Sequence, residues 1–394
     1  MMLSRTLLFN ILSCLPAKML LQLRCVCKAW NNVIQDPDFA KLHLQVSLED
    51  IDNRSLIISG EKMHLVDFSP LNKAVQVNHP LKFGQGFTNV LAGSCNGLVC
   101  LANQDKEIAL WNPMTGHYHM MPTTKSPKES NVLRSFIYGF GYDLASDDYK
   151  IVRILQLYSY SSYDFSDEGD SDSEIDHFAG SEVHVLSLKA KYWRRIKCFP
   201  YVLCYLCSGV LSNGALHWVA RQRHNLDGTS YIIMAFDLGL ENCRVVPQPN
   251  YEDIHFSMTL EVLGGSLCVL CHYPKCGVEI WVMKDYGMGY WQKLISIAQR
   301  KPIGIFEYIK PLAYSRNSCE LLLLLDYQKL IWYDLLKKTI RHVSISDLRS
   351  SFDTDFFSGS LLDPNNISGN EVNLGRLNLA HSLHCNEKRY DPKP

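Results

Sequence analysis

The sequence predicts an α+β chain: a short three-helix unit followed by an all-β, propeller-like repeat domain. Three observations carry this. Apolar residues recur with a helical period from Leu7 to Leu44. From about Ser55 to Ile345 the pattern changes to runs of four to eight Val, Ile, Leu, Tyr and Trp residues, split by Gly, Asn, Asp and Pro. Within that stretch a strand–turn–strand unit repeats at intervals near 50 residues.

The helices come first. Leu7, Leu8, Ile11, Leu12 and Leu15 fall at i, i+1, i+4, i+5 and i+8, one stripe of a helix. Pro16 opens a second helix, as proline does at a first helical position. Leu20, Leu21 and Leu23 are its apolar part, and Val26, Trp30, Val33 and Ile34 form a third stripe that Asp36-Pro37 ends. Three short helices cannot bury all these side chains among themselves, so apolar surface is left for a partner. Trp30 and Val26 read as core of the unit.

The repeat is marked by a polar residue where a strand gives way to a turn: Asp67, Asn112, Ser187, Asp237, Lys284 and Asp334. These lie 45, 75, 50, 47 and 50 residues apart. The long step holds an insertion at about 159–180, in which Asp164, Asp167, Glu168, Asp170, Asp172, Glu174 and Asp176 alternate with Ser and Gly. It is too charged to collapse and reads as a disordered loop, able to carry phosphate at Ser166, Ser171 or Ser173. A unit near 50 residues cannot cover its own sheet faces, so units stack in a ring with short edges. Domain limits follow at 1–46 for the helices, 50–364 for the ring and 365–394 for a polar, disordered tail.

Composition narrows the function classes. A net charge of −1 over 394 residues gives no electrostatic footprint for nucleic acid or an anionic membrane. No run of about 18 apolar residues occurs. Met1 to Leu15 has the look of a leader, but the amphipathic pattern runs on past Asn10 to Ile34, which places the chain in the cytoplasm or nucleus. The 14 cysteines lie in apolar runs or on helical faces, as buried reduced thiols do. The CxxC spacings Cys204/Cys207 and Cys268/Cys271 fall in strand-like runs rather than on exposed turns, against zinc.

No HExxH, GxSxG or complete nucleotide-binding glycine pattern occurs, and no metal or cofactor is expected. His217-Trp218 and Trp111-Asn112-Pro113 read as blade core and turn. Asn53-Arg54-Ser55 and Asn366-Ile367-Ser368 fit the glycosylation sequon, which has no meaning in the cytosol.

Residues 7–30 resemble an F-box of the plant type, with matches at Ile11-Leu12, Leu15-Pro16, Lys18, Leu20-Leu21, Arg24-Cys25-Val26-Cys27-Lys28 and Trp30. Asp36-Pro37, Phe39 and Leu42-His43-Leu44 resemble the ending of that box. The remainder resembles the F-box-associated interaction domain, a kelch-like propeller. The similar stretches begin at Gly93, Leu110, Gly139, Asp148 and Asn213, and Ser360-Leu361-Leu362-Asp363-Pro364 is similar to the closing segment. The chain departs from the family at Leu3-Ser4, where Leu-Pro is usual, and at Thr6 and Asn10, where acids are usual.

The resemblance implies a non-catalytic substrate receptor of an SCF-type ubiquitin ligase. The box would dock on a Skp-type adaptor, and through it on a cullin, while the propeller holds a protein substrate. Leu3, Leu7, Leu8, Ile11, Leu12, Leu15, Pro16 and Leu20 are the expected adaptor contacts, laid in a groove of the partner. Two other classes stay open on the residues alone: a propeller scaffold without ligase activity, and a propeller enzyme or sugar-binding protein. The S-locus F-box receptors share the first architecture.

Overall fold

The computed structural model describes residues 5–367, apart from 49, 51–52, 61, 82–89, 104–105, 123–131, 160–177, 197–200, 205–207, 222–230, 254, 347 and 349–351. Four helices open the chain: α1 (Arg5–Ser13), α2 (Ala17–Leu23), α3 (Lys28–Ile34) and α4 (Pro37–Ser47). The fourth adds to the three expected. Asp36-Pro37 ends α3 and starts α4 at once, because the Asp36 carboxylate accepts the Asp38 N–H at 2.9 Å and Pro37 takes the first helical position.

Among the described residues the strands form six sheets. The first blade holds β1 (Arg54–Ser59), β2 (Met63–Asp67) and β3 (Ala74–Val77), and the second holds β4 (Val90–Cys95), β5 (Leu98–Ala102), β6 (Ile108–Trp111) and β7 (Tyr118–Met120). The third is β8 (Val132–Asp143), β9 (Asp148–Ser159), β10 (Phe178–Ser187) and β11 (Tyr192–Ile196). The fourth is β12 (Val202–Leu203), β13 (Val210–Ser212), β14 (Ala215–Arg221), β15 (Tyr231–Asp237) and β16 (Cys243–Val246). The fifth is β17 (Ser257–Leu263), β18 (Ser266–Tyr273), β19 (Gly277–Asp285) and β20 (Tyr290–Ala298), and the sixth β21 (Ile309–Tyr314), β22 (Glu320–Leu325), β23 (Lys329–Asp334) and β24 (Ile340–Val343). A last strand, β25 (Asp353–Ser358), returns to pair antiparallel with β1 and becomes the inner strand of the first blade.

Each of the six polar marks read from the sequence lies at or beside the end of the third strand of a blade, counted from the axis outward. The repeat period therefore reports one recurrent turn. Cores form between blades rather than within them. Leu216, Trp218 and Phe236 meet Val152 and Val185 between the third and fourth blades, and Leu56 and Phe68 meet Leu322 and Trp332 between the sixth and first. All sheets are antiparallel with both faces covered, which explains the near-continuous apolar runs of the second and third strands.

Several expectations shift at their edges. Ser159 and Phe178–Gly180 belong to β9 and β10, so the strands extend into the segment read as loop at 159–180. Phe178 is buried and meets the Tyr158 ring edge-on at 6.0 Å, which is why the pairing persists beyond the charge run. The acidic run and its serines lie outside the described residues, as does the tail from 368 onward. Asn365 starts the tail region tied down, donating to the Tyr118 carbonyl at 3.2 Å. Cys268 and Cys271 sit on opposite faces of β18, in two different inter-blade cores, so they cannot share a metal ion. Burial pushes the Cys268 thiol up to about 12 and raises Cys271 further. Asn53 is buried and hydrogen-bonded, closed to glycosylation in this fold.

Candidate adaptor-docking helix and its seat on the propeller

Helix α1 carries two apolar stripes, one turned to each side. Leu8 and Leu12 face inward, in one core with Phe39, Ala40 and Leu44 of α4 and Leu361 and Leu362 of the closing segment. Phe9 packs edge-on against Phe39, with ring centroids 5.1 Å apart. Leu7 and Ile11, one turn apart, are 46% and 47% exposed. Leu15 and Pro16 are half-buried in the turn to α2, and Leu20 is fully buried. Leu3 lies outside the described residues.

Of the eight expected contacts, the structure thus places Leu8, Leu12 and Leu20 in the chain's own interior, unavailable to a partner in this arrangement. The helical period could not separate the two stripes, because both are built of leucine and isoleucine. Val26, read as core, is 54% exposed because it falls in the turn between α2 and α3, while Trp30 packs half-buried against the core as read. Met19, 45% exposed on α2, is an apolar surface residue that the sequence reading did not single out.

Buried and part-buried polar contacts hold the box together and hold it down. The His43 ring meets the Leu15 carbonyl through Nε2 at 2.8 Å, clamping α4 to the α1–α2 turn. Burial holds the His43 pKa below its usual value, with the Leu15 contact working in the other direction. Asn53, between box and ring, accepts from the Ala17 N–H at 3.1 Å and donates to the Gly359 carbonyl at 2.7 Å. Asn112, fully buried at the third-strand turn of the second blade, donates to the carbonyls of Ser360 at 3.0 Å and Leu362 at 2.8 Å. Its side-chain oxygen accepts the Met114 N–H at 2.9 Å. The Trp-Asn-Pro-Met-Thr motif is therefore the anchor of the closing segment, and that segment is the seat of the box. Gly97 makes room for it: a Cβ there would lie 2.4 Å from Ser360 Cβ, and its φ of +72° suits glycine.

The seat lies on one face of the ring. Lys18 reaches Asp67 at 2.6 Å, and a recess of about 310 Å³ between α4 and the closing segment is also walled by Asp147 and Lys189. Asp67, Asp147 and Lys189 belong to turns joining first to second or third to fourth strands, which share one end of every blade. The other end carries the second-to-third and blade-to-blade connections, including the one that holds the acidic run between β9 and β10.

Other sequence-singled residues are structural. Trp111 and Trp218 are buried in inter-blade cores. His217 meets the Val210 carbonyl and the Tyr286 hydroxyl at 3.1 and 2.7 Å, and burial takes its pKa down to about 4. No group of three or more His, Cys, Asp or Glu able to hold a metal occurs among the described residues. No described helix is long and apolar enough to cross a membrane.

Comparison with known proteins agrees with this geometry. The F-box associated beta propeller domain family matches residues 54–365, and the F-box-like family matches residues 5–43. F-box protein CPR1 of Arabidopsis thaliana is 34% identical over 400 residues, covering 96% of this chain and 94% of its own length. The F-box/kelch-repeat protein At3g23880 of Arabidopsis thaliana is 27% identical, covering 91% and 94%. The two family matches cover nearly the whole length, and the chain belongs to the plant F-box proteins with a C-terminal F-box associated β-propeller domain.

Proposed function

We propose that this protein is the substrate-receptor subunit of an SCF-type ubiquitin ligase, acting in the cytoplasm or nucleus and performing no chemistry itself. The observation that carries the proposal is the two-sided α1. Leu8 and Leu12 lock the helix to the propeller, while Leu7 and Ile11 remain as apolar surface. Exposed leucine and isoleucine at i and i+4 suit a groove in a Skp-type adaptor, through which the cullin and the conjugating enzyme are reached. The ring face opposite the box carries the longer connections, where recognition residues are most often held by a rigid scaffold. Adaptor on one side and substrate on the other gives the receptor its role: it raises the effective concentration of a substrate lysine near the loaded enzyme.

The test is affinity capture from plant extract with the full chain and with a Leu7→Asp/Ile11→Asp variant, read by mass spectrometry. The expected result is recovery of a Skp-type adaptor and a cullin with the first and loss of both with the second, while both baits keep their propeller-bound proteins. Capture of propeller partners without any adaptor would replace this reading with that of a scaffold lacking ligase activity.

A further inference from the structure

The wedge between the second and third blades contains polar groups that the fold leaves unanswered. Tyr138, Arg153, His184 and Arg195 stand opposite one another in register on β8, β9, β10 and β11, so their side chains share one face of the third blade. Arg153 is 3% exposed and Tyr138 4%. Yet Arg153 Nε, the Tyr138 hydroxyl and His184 Nδ1 are buried without a hydrogen-bond partner. Buried polar groups are almost always paired, and a buried donor on a charged side chain left without an acceptor is among the costlier exceptions.

Around this floor stands an aromatic and cationic rim. The Arg153 guanidinium lies 5.2 Å from the Trp193 ring and 5.7 Å from Phe136, and Lys106 lies 5.1 Å from the Phe136 ring on the wall supplied by the second blade. Phe136, Trp193, His184 and Lys106 are only partly buried, and Arg195 is exposed. This buried floor and partly exposed rim are together termed the cup. Lys106 stands in the turn between β5 and β6, which puts that rim on the ring face away from the box. The carboxylate in contact is Glu182, already taken by Arg195 at 3.0 Å and near His184 at 3.8 Å. Among the described residues, two arginines and a lysine stand against that one acid, an excess of positive charge.

We propose that this cup binds an oxyanion carried on a side chain of the protein substrate, an Asp or Glu carboxylate or a phosphorylated Ser or Thr, within an acidic peptide segment. The guanidinium offers paired N–H donors to a carboxylate or phosphate, the tyrosine hydroxyl a third donor, and the aromatic walls exclude water and strengthen the contact. The inference deepens the substrate-receptor reading and rests on it for the identity of the ligand as substrate.

The experiment uses the full chain and an immobilised library of random 13-residue peptides whose central position is fixed as Asp, Glu, phosphoserine or Gln. Adaptor capture is measured on the same preparation. The expected result is binding at the Asp, Glu or phosphoserine position at least tenfold tighter than at Gln, with a loss of at least tenfold in Arg153→Met and a smaller loss in Tyr138→Phe. Arg153→Met keeps the side-chain stem and removes a buried charge whose Nε has no hydrogen-bond partner, so its melting temperature should equal or exceed that of the wild type. A purely structural arginine would lower it. Preference for Asp and Glu over phosphoserine, or the reverse, identifies which oxyanion the cup takes. Equal binding of acidic and Gln peptides, or undiminished acidic binding by both variants, overturns the proposal while leaving the receptor reading intact. Arg153-dependent acidic binding without adaptor capture overturns the receptor reading and leaves the cup standing.

Discussion

At the scale of single residues, the molecule depends on side chains that join segments far apart in sequence. Asn112 is the strongest case, since its amide satisfies two carbonyls of the closing segment 248 and 250 residues away. Asn112→Ala strands both in a buried place, at a cost of about 1–3 kcal/mol. A lower melting temperature and faster proteolysis near residue 360 should report it. The network at Lys150 is similar. Its ammonium contacts Asp143 and Glu241 at 3.0 Å each, and Arg194 reaches both oxygens of Glu241 at 2.6 Å, tying the third blade to the fourth. Burial alone would raise the pKa of Asp143 and Glu241, but their hydrogen bonds to Ser146 and Lys150, and to Arg194 and Lys150, outweigh it and hold both below the usual value. A depressed carboxylate pKa contributes stability that is present above the unfolded value and lost as pH falls through the folded one. His43 and His217 also have lowered pKa values, for which burial is the first cause. The unfolded chain takes up those protons first, so their contribution is complete above about pH 6.5 and declines as pH falls toward 4. Denaturant midpoints measured from pH 8 to pH 3 should hold steady to about 6.5, decline below it, and fall further below about 4 as the carboxylates titrate. The decline between pH 6.5 and 4 should shrink in a His43→Gln/His217→Gln variant, and an equal decline in that variant would show that these histidines do not carry it.

At the scale of elements, α1 has a buried side and an exposed side. Leu12→Ala removes a fully buried side chain shared by box and closing segment, and should cost about 2–5 kcal/mol by cavity formation. Calorimetric melting checks it. Leu7→Ala removes a side chain that is nearly half exposed, so its stability cost should stay within about 0.5 kcal/mol. The sequence displayed the helix and its apolar residues but could not sort them. A stripe of Leu7, Leu8, Ile11, Leu12 and Leu15 is wide enough to face two ways, and only packing against Phe39 and Leu362 assigns the faces. Strand turns were more legible. Asn112, Asp237 and Asp334 mark them because a short polar side chain satisfies the backbone there: Asn112 accepts the N–H two residues on, and Asp237 and Asp334 accept N–H groups two and three residues on. What Asn112 does with its amide was illegible, since its partners lie across the whole chain. The helix beginning at Pro37 was missed because Asp-Pro stops one helix and caps the next.

At the scale of the whole molecule, β25 closes the ring by pairing residues 353–358 with 54–59, and the same segment continues into the seat of the box. Ring closure and box attachment are thus one event. A chain ending at residue 350 should lose the inner strand of the first blade, the buried Phe357 and the support beneath Leu8 and Leu12, and should fail to melt cooperatively by circular dichroism. The repeat period made the six blades legible. The closure was not, because one strand without its own turn signal carries no periodicity. The central claim is that the exposed side of α1 is the adaptor surface of a receptor whose other side is fixed to the ring. Calorimetric titration of the full chain with a purified Skp-type adaptor tests it most directly. The account predicts binding at micromolar concentration or tighter, weakened by about 2 kcal/mol or more in Leu7→Ala/Ile11→Ala at an unchanged melting temperature. Absence of binding by the wild type, or equal binding by the double variant, would contradict it.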